Sequence, residues 1–394
     1  MFPEARIEVT LTTAAGTVAG VRLRSGRLTR AAALLAGRPA GEATRLLPAV
    51  FSLCGTAQAV AGLAAVEQAA GVAVAAPHRA ARRLLLLAEM VGEHALGMAR
   101  DWPALLGETP DLEAAKTLRI ALARLRPALY PGGDWTRPGG GALRPDRSEL
   151  DAAIAAAAAA VSRLLAADPD TVVADPQAIT TWARKGDAVP ARLIGTILAE
   201  GLADFGHCAF HPMPSGGPGD LTERLAADFD GVFAAQPDSV GTVFETGPLA
   251  RLSGRPLARA LMAAHGNGLL TRFAIRLTEL KEALRDLAPL VHDLFDAPGH
   301  ATPSDATGTG LGLVEAARGL LAHRVELAEG RVARYQILAP TEWNFHPAGP
   351  LAAGLVGVPA ADVRRRAALL VNALDPCVAC AVAVEDDQPC MRCP

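Results

Sequence analysis

Aromatic side chains are scarce in this 394-residue chain: Phe, Trp and Tyr make up 4% of it. A core with so few large rings has to be built from Ala, Leu and Val, and an apolar share of 51% supplies them. Ala and Leu favour helix, so the composition predicts an Ala-rich helical protein. Excess charge is lacking as well. Lys and Arg number 38 against 41 Asp and Glu, a formal net charge of −3, which leaves no global field for gathering nucleic acid. No stretch is apolar without interruption over the roughly 20 residues that a membrane helix needs. The opening Met1-Phe2-Pro3-Glu4-Ala5-Arg6 lacks a basic segment ahead of an apolar core and lacks a twin-Arg pair. These absences predict a soluble, cytoplasmic chain that binds neither nucleic acid nor membrane. Cysteine is thin too, six in all, four of them in two CxxC pairs near the C-terminus. That usage suits a reducing compartment and metal or redox chemistry better than a disulfide framework.

The length exceeds the usual limit of one core, which predicts either a large core with extensions or two lobes. Residues 6–27 alternate in two pieces around Ala14-Ala15-Gly16 and predict a hairpin. From Thr29 onward apolar residues recur at helical spacing, with Gly37-Arg38-Pro39 punctuating, and Cys54 falls at or just before a helix start. A helix N-terminus there would turn backbone donors toward an anion. Segments 58–71, 79–101, 111–127 and the Ala-dominated 152–167 predict helices. Breaks rich in Gly and Pro fall at Tyr130 to Pro145, Pro212 to Gly219 and Ala297 to Gly312. Between the last two, Pro256 to Val291 predicts a long helical region with solvated Arg and Glu faces. Val325 to Ala339, around Gly330, predicts a hairpin that delivers Pro340-Thr341.

The chemistry is concentrated in five places. Asp375-Pro376-Cys377-Val378-Ala379-Cys380 puts two thiols one helical turn apart behind a proline, and Cys54-Gly55 is a distant partner. Between them lie Glu245-Thr246-Gly247-Pro248-Leu249-Ala250-Arg251, Glu315-Ala316-Ala317-Arg318-Gly319 and Pro340-Thr341-Glu342-Trp343-Asn344. Read alone, Cys377 and Cys380 with Cys390 and Cys393 predict a structural zinc knuckle. Cys390 and Cys393 taken apart are a second metal clamp, a redox dithiol or a frayed tail, and the residues leave these open. Arg318, in a stretch that reads as an apolar helix, needs an anion, either an external ligand or Glu315 or Glu245. Thr341 could cap a helix starting at Glu342, while Trp343 and Asn344 read as packing and backbone-bonding residues. His207 and Cys208 are adjacent and read as loop packing rather than a metal site, and His211, His323 and His346 are unassigned.

Taken in this order, the motifs resemble those of the large subunit of nickel-iron hydrogenases, which runs from a CGxC motif to a terminal DPCxxC motif. The resemblance spans nearly the whole chain. It implies a mainly α fold with small β elements, a hydrogenase-large-subunit-like helical bundle with an N-terminal β-hairpin, forming one domain over 1–394. Within it lie a small β region at 1–28, a helical lobe with Cys54 at 29–128, a Gly/Pro loop at 129–150 and the remaining helical lobe at 151–394. It further implies Cys54, Cys377 and Cys380 as metal ligands, with Arg318, Pro340 and Thr341 lining the cofactor pocket.

Three departures from that family stand out. The second cysteine of the first motif is replaced by Ala57, so three of four thiolates remain. The histidine expected after the terminal motif, where a maturation protease cuts, is replaced by Ala383, and the proton-passing glutamate by Ala32. Losing a soft ligand disfavours nickel, whereas iron already carrying cyanide and carbonyl needs less protein ligation. The pattern therefore resembles the HupK/HoxV-type accessory proteins, and implies a non-catalytic scaffold that passes iron with cyanide and carbonyl to a hydrogenase large subunit. A HypC-type chaperone and a HypD-type assembly protein are partners implied by the resemblance alone, and a mobile C-terminus is expected. The rivals are a divergent hydrogenase-like oxidoreductase, with His346 as a substitute ligand, and an interaction protein built around structural zinc.

Overall fold

Small residues let the centre of the molecule close up. In the computed structural model, which describes residues 6–27, 31–110, 112–296 and 305–386, helix α1 (Ala40–Val50) leads through a short 3-10 turn at Ser52–Cys54 into helix α2 (Gly55–Ala70). Strand β3 (Thr309–Ala316) lies directly on α2. A Cβ on Gly312 would sit 1.9 Å from the Ala61 carbonyl oxygen, and one on Gly310 2.0 Å from that of Ala65. Glycine at these alternate positions is what permits backbone to pack on backbone. β3 is the first strand of an antiparallel sheet, order β3-β4-β5, with β4 at Gly319–Ala328 and β5 at Arg331–Leu338. The turn between β4 and β5 holds Glu329 and Gly330 at positive φ, so the hairpin expected around Gly330 forms.

A second sheet joins residues near the two ends of the chain. Strands β1 (Arg6–Ala14) and β2 (Thr17–Ser25) make the expected hairpin, turning at Ala15 and Gly16. Strand β6 (Ala379–Asp386) pairs parallel with the other edge of β1, from Arg6↔Ala379 to Thr13↔Asp386. This corrects the expectation of a mobile tail for these residues. The Ala, Cys and Val of 379–384 suit a pleated surface, and pairing satisfies an otherwise open edge of β1. Cys390 and Cys393 lie outside the described residues.

Helix α3 (Ala76–Leu105) runs through the main core, where Leu84, Val91, Met98 and Trp102 are buried. The helix Leu269–Arg285 packs against it. The long helical region expected at 256–291 is in fact three helices, Pro256–His265, Leu269–Arg285 and Leu287–Asp296, with Gly266 at φ 56° ending the first. Arg259 and Arg285 are exposed as expected, but other charged side chains of the region are not. Arg272, Arg276 and Glu279 are 2–4% exposed, and a Cβ on Gly97 of α3 would sit 2.3 Å from Arg276 Nη2. They are tolerated because each meets an opposite charge or a polar partner inside.

Residues 315–319 also differ from the helical expectation. Glu315 and Ala316 end β3, and Arg318 occupies the tight turn into β4. Gly319 takes φ 131°, which L side chains rarely adopt, and a Cβ there would meet Thr246 Oγ1 at 2.4 Å. Among the described residues no single helix is long and apolar enough to cross a membrane.

Candidate metal site

Cys54 and Cys377 come to one pocket from opposite ends of the chain. Cys54 is the residue before α2, as its sequence context predicts. Cys377 follows the helix Val363–Leu374, which Asp375 stops by taking a left-handed φ of 51° ahead of Pro376. Both cysteines line a small cavity of about 20 Å³, together with Arg27, Gln58, Glu89, Glu93, Arg318 and Pro340. Burial pushes the Cys54 thiol up to about 12, opposed by its hydrogen bond from Gln58 and reinforced by the neighbouring Cys377. The Thr341 hydroxyl donates to Cys377 Sγ at 3.1 Å. Thr341 therefore does not cap a helix starting at Glu342: the helix runs Pro340–Asn344, and Thr341 sits inside it facing the sulfur. The structure thus gathers Cys54, Cys377, Arg318, Pro340 and Thr341.

Cys380 is not gathered with them. The chain after Cys377 bends and becomes extended, so Cys377 and Cys380 are not one helical turn apart; Cys380 is paired opposite Ile7 in β6. It packs against the main apolar core, and burial pushes its thiol up to about 12. Among the described residues, no three His, Cys, Asp or Glu side chains are placed to hold one metal ion together. His346 does not line the pocket; its Nδ1 accepts the Ala348 N–H at 2.9 Å. His207 and Cys208 are loop residues as expected, with Asn267 Oδ1 accepting the Cys208 N–H.

Arg318 is anchored by two carboxylates: Nη1 bonds Glu93 Oε2 at 2.9 Å and Nε lies 3.5 Å from Asp375 Oδ2. Desolvation works against its charge, but Asp375 and Glu93 outweigh it and raise its pKa. Its partners are therefore not Glu315, which pairs with Arg251, or Glu245, which pairs with Arg272. Glu89, one turn before Glu93 on α3, accepts the N–H groups of Thr56 at 2.6 Å and Ala57 at 2.8 Å. The donors at the start of α2 are thus already met by a carboxylate of this chain. Burial raises the pKa of both Glu89 and Glu93.

Behind Arg318 a buried polar network continues that sequence reasoning missed. Arg276 lies 3.2 Å from Asp375 and donates to His94 Nδ1, His94 Nε2 meets Glu279, and Glu279 pairs with Arg251. The available signal was in the helix 269–285 itself. Phe273, Ala274, Ile275, Leu277 and Leu280 point all round it, leaving no polar face for solvent. Trp343 and Asn344 do as expected: Trp343 is buried, and the Asn344 side chain bonds both the N–H and the carbonyl of Thr246.

Comparison with known proteins extends this geometry. A nickel-dependent hydrogenase family model matches residues 234–383. The G491S variant of the nickel-iron-selenium (NiFeSe) hydrogenase of Desulfovibrio vulgaris Hildenborough superposes with a TM-score of 0.69 at 19% identity, covering 93% of this chain and 94% of that one. The fold is therefore that of a hydrogenase large subunit, as the resemblance implied. Closer in sequence are two proteins named hydrogenase expression/formation proteins. HupK of Rhizobium leguminosarum bv. viciae is 31% identical over 390 residues, 96% of both chains. HoxV of Cupriavidus necator is 34% identical over 357 residues, 88% of both. The chain belongs to the HupK/HoxV family of hydrogenase expression/formation proteins.

Proposed function

We propose that this protein is a non-catalytic scaffold of hydrogenase maturation, which holds iron carrying cyanide and carbonyl at Cys54 and Cys377 and passes it to a nickel-iron hydrogenase large subunit. The names of the relatives support the maturation role. The observation that supports the cargo is the convergence of two soft sulfur donors on one cavity beside a buried guanidinium. Thiolates suit iron, nickel and zinc alike, so the number of donors decides among them. With alanine at position 57 and Cys380 held in β6, two thiols among the described residues face the cavity. That is too few for a full nickel site, and sufficient for an iron whose other positions are filled by diatomic ligands.

The remaining residues fit such a cargo. Arg318 supplies positive charge and N–H donors for cyanide nitrogens, the Thr341 hydroxyl holds the Cys377 sulfur, and Pro340 gives an apolar wall. Glu89 and Glu93, whose carboxyls are shifted toward the neutral form by burial, can take up a proton when an anionic unit enters. A HypC-type chaperone and a HypD-type assembly protein are the suppliers this reading calls for.

Infrared spectroscopy of the anaerobically purified full chain, with elemental analysis, tests the proposal. Cyanide and carbonyl bands with iron and no nickel are expected. A silent infrared window with stoichiometric zinc would replace the scaffold by the structural-zinc reading. Hydrogen uptake after nickel loading would replace it by a hydrogenase-like enzyme.

A further inference from the structure

Three buried polar side chains form a hydrogen-bonded line that ends on the Cys54 sulfur. The Tyr335 hydroxyl meets His323 Nδ1 at 2.9 Å, His323 Nε2 meets Gln58 Oε1 at 2.9 Å, and Gln58 Nε2 donates to Cys54 Sγ at 3.5 Å. All three are buried in a cluster of Leu47, Ala57, Ala61, Val325 and Ile337, where apolar residues would pack at lower cost. The backbone makes room for them: a Cβ on Gly62, one turn after Gln58, would sit 2.7 Å from the Tyr335 hydroxyl and 2.1 Å from Leu47 Cδ1.

The direction of the line is fixed by chemistry. Burial pushes His323 down to about 3, so the ring is neutral and carries one N–H. The Gln58 carbonyl oxygen takes that proton from Nε2, which leaves Nδ1 to accept from the Tyr335 hydroxyl. The Gln58 amide then presents an N–H to the sulfur. A sulfur that gives up its proton to a metal accepts such a bond more strongly than a thiol does.

We propose that Gln58, His323 and Tyr335 are positioning residues that hold the Cys54 sulfur as an acceptor turned toward a metal, a role that rests on Cys54 being a metal ligand. Outer partners of this kind orient a ligand and withdraw a little charge from it. In the iron-loaded protein, removing the amide donor lets the sulfur give more charge to iron, and the carbonyl band moves to lower frequency.

The test uses cobalt(II) as a thiol-seeking probe of the unloaded full chain, counting only the sulfur-to-cobalt absorption that Cys54→Ala abolishes. Gln58→Leu, which keeps most of the bulk and removes the donor without adding a soft ligand, is expected to weaken cobalt binding about 10- to 100-fold. Tyr335→Phe, which keeps the ring, should weaken it less and shift the same absorption band in the same direction. Cobalt affinity and band position equal to the unaltered protein's in both variants, with only the melting temperature changed, would overturn the proposal in favour of a structural role. An unaltered protein with no cobalt absorption dependent on Cys54 would overturn it too. Weakened cobalt binding in the variants alongside a silent cyanide and carbonyl window leaves the relay standing and removes only the iron cargo.

Discussion

Thr341 gives its hydroxyl proton to the Cys377 sulfur at 3.1 Å, tying the helix after β5 to the loop that closes the pocket. Thr341→Val keeps the shape of the side chain and removes the donor. Because one neutral hydrogen bond contributes about 1 kcal/mol, the urea midpoint should change little. Iron retained per chain after anaerobic purification should fall. Unchanged iron content would remove Thr341 from the site.

Arg318 neutralises two carboxylates that have little access to water, so its loss is a fold defect before it is a binding defect. Arg318→Ala leaves Glu93 without its counter-charge, while Asp375 keeps Arg276, and should cost about 3–5 kcal/mol in chemical denaturation. Adding Glu93→Gln, which mimics the protonated acid, should restore part of that loss. A strictly additive pair would show that Glu93 and Arg318 are not coupled.

Stability should fall on acidification before most carboxylates titrate. The unfolded chain takes up a proton on His323 near pH 6.5, while burial holds the native imidazole at about 3. The unfolded state therefore binds more protons throughout that window, so this contribution is complete above pH 6.5 and is lost as pH falls toward 3. His94, also lowered by burial, acts in the same direction. From pH 6.5 to 5 the His323 share is about 2 kcal/mol. Denaturation midpoints at pH 7.5 and 5.0 read this, and His323→Gln should flatten the slope.

Gly312→Ala tests the contact between α2 and β3. Its Cβ would fall 1.9 Å from the Ala61 carbonyl, inside the contact distance of backbone atoms on both sides. The expected loss is at least about 1–3 kcal/mol. Gly330→Ala is the contrast: nothing lies within 4 Å of its Cβ, and only its φ of 72° opposes the change.

The parts of this architecture that local pattern controls could be read from sequence. The β1–β2 and β4–β5 hairpins, the placement of Cys54 before α2 and the backbone bonding of Asn344 all follow from alternation, turn residues and side-chain chemistry over a few positions. What failed depended on distant partners. Arg276 and Glu279 look like a solvated helix face until Asp375, His94 and Arg251 are brought beside them. Arg318 looks helical until Gly319 adopts a backbone angle that begins a strand. The separation of Cys380 from Cys377 depends on whether β1 has a free edge, which the CxxC spacing does not encode. The site was legible as a set of motifs; its donor count was not.

The pairing of β6 with β1 also dictates when the pocket can exist. During synthesis residues 6–14 emerge early, but their parallel partner at 379–386 and the sulfur of Cys377 come only after the helix Val363–Leu374 has been made. A polypeptide stopped short of residue 377 carries Cys54 but lacks the Cys377 sulfur that shares its pocket. The Cys54–Cys377 pair is therefore the last part of the pocket to be assembled, whatever order the helices form in.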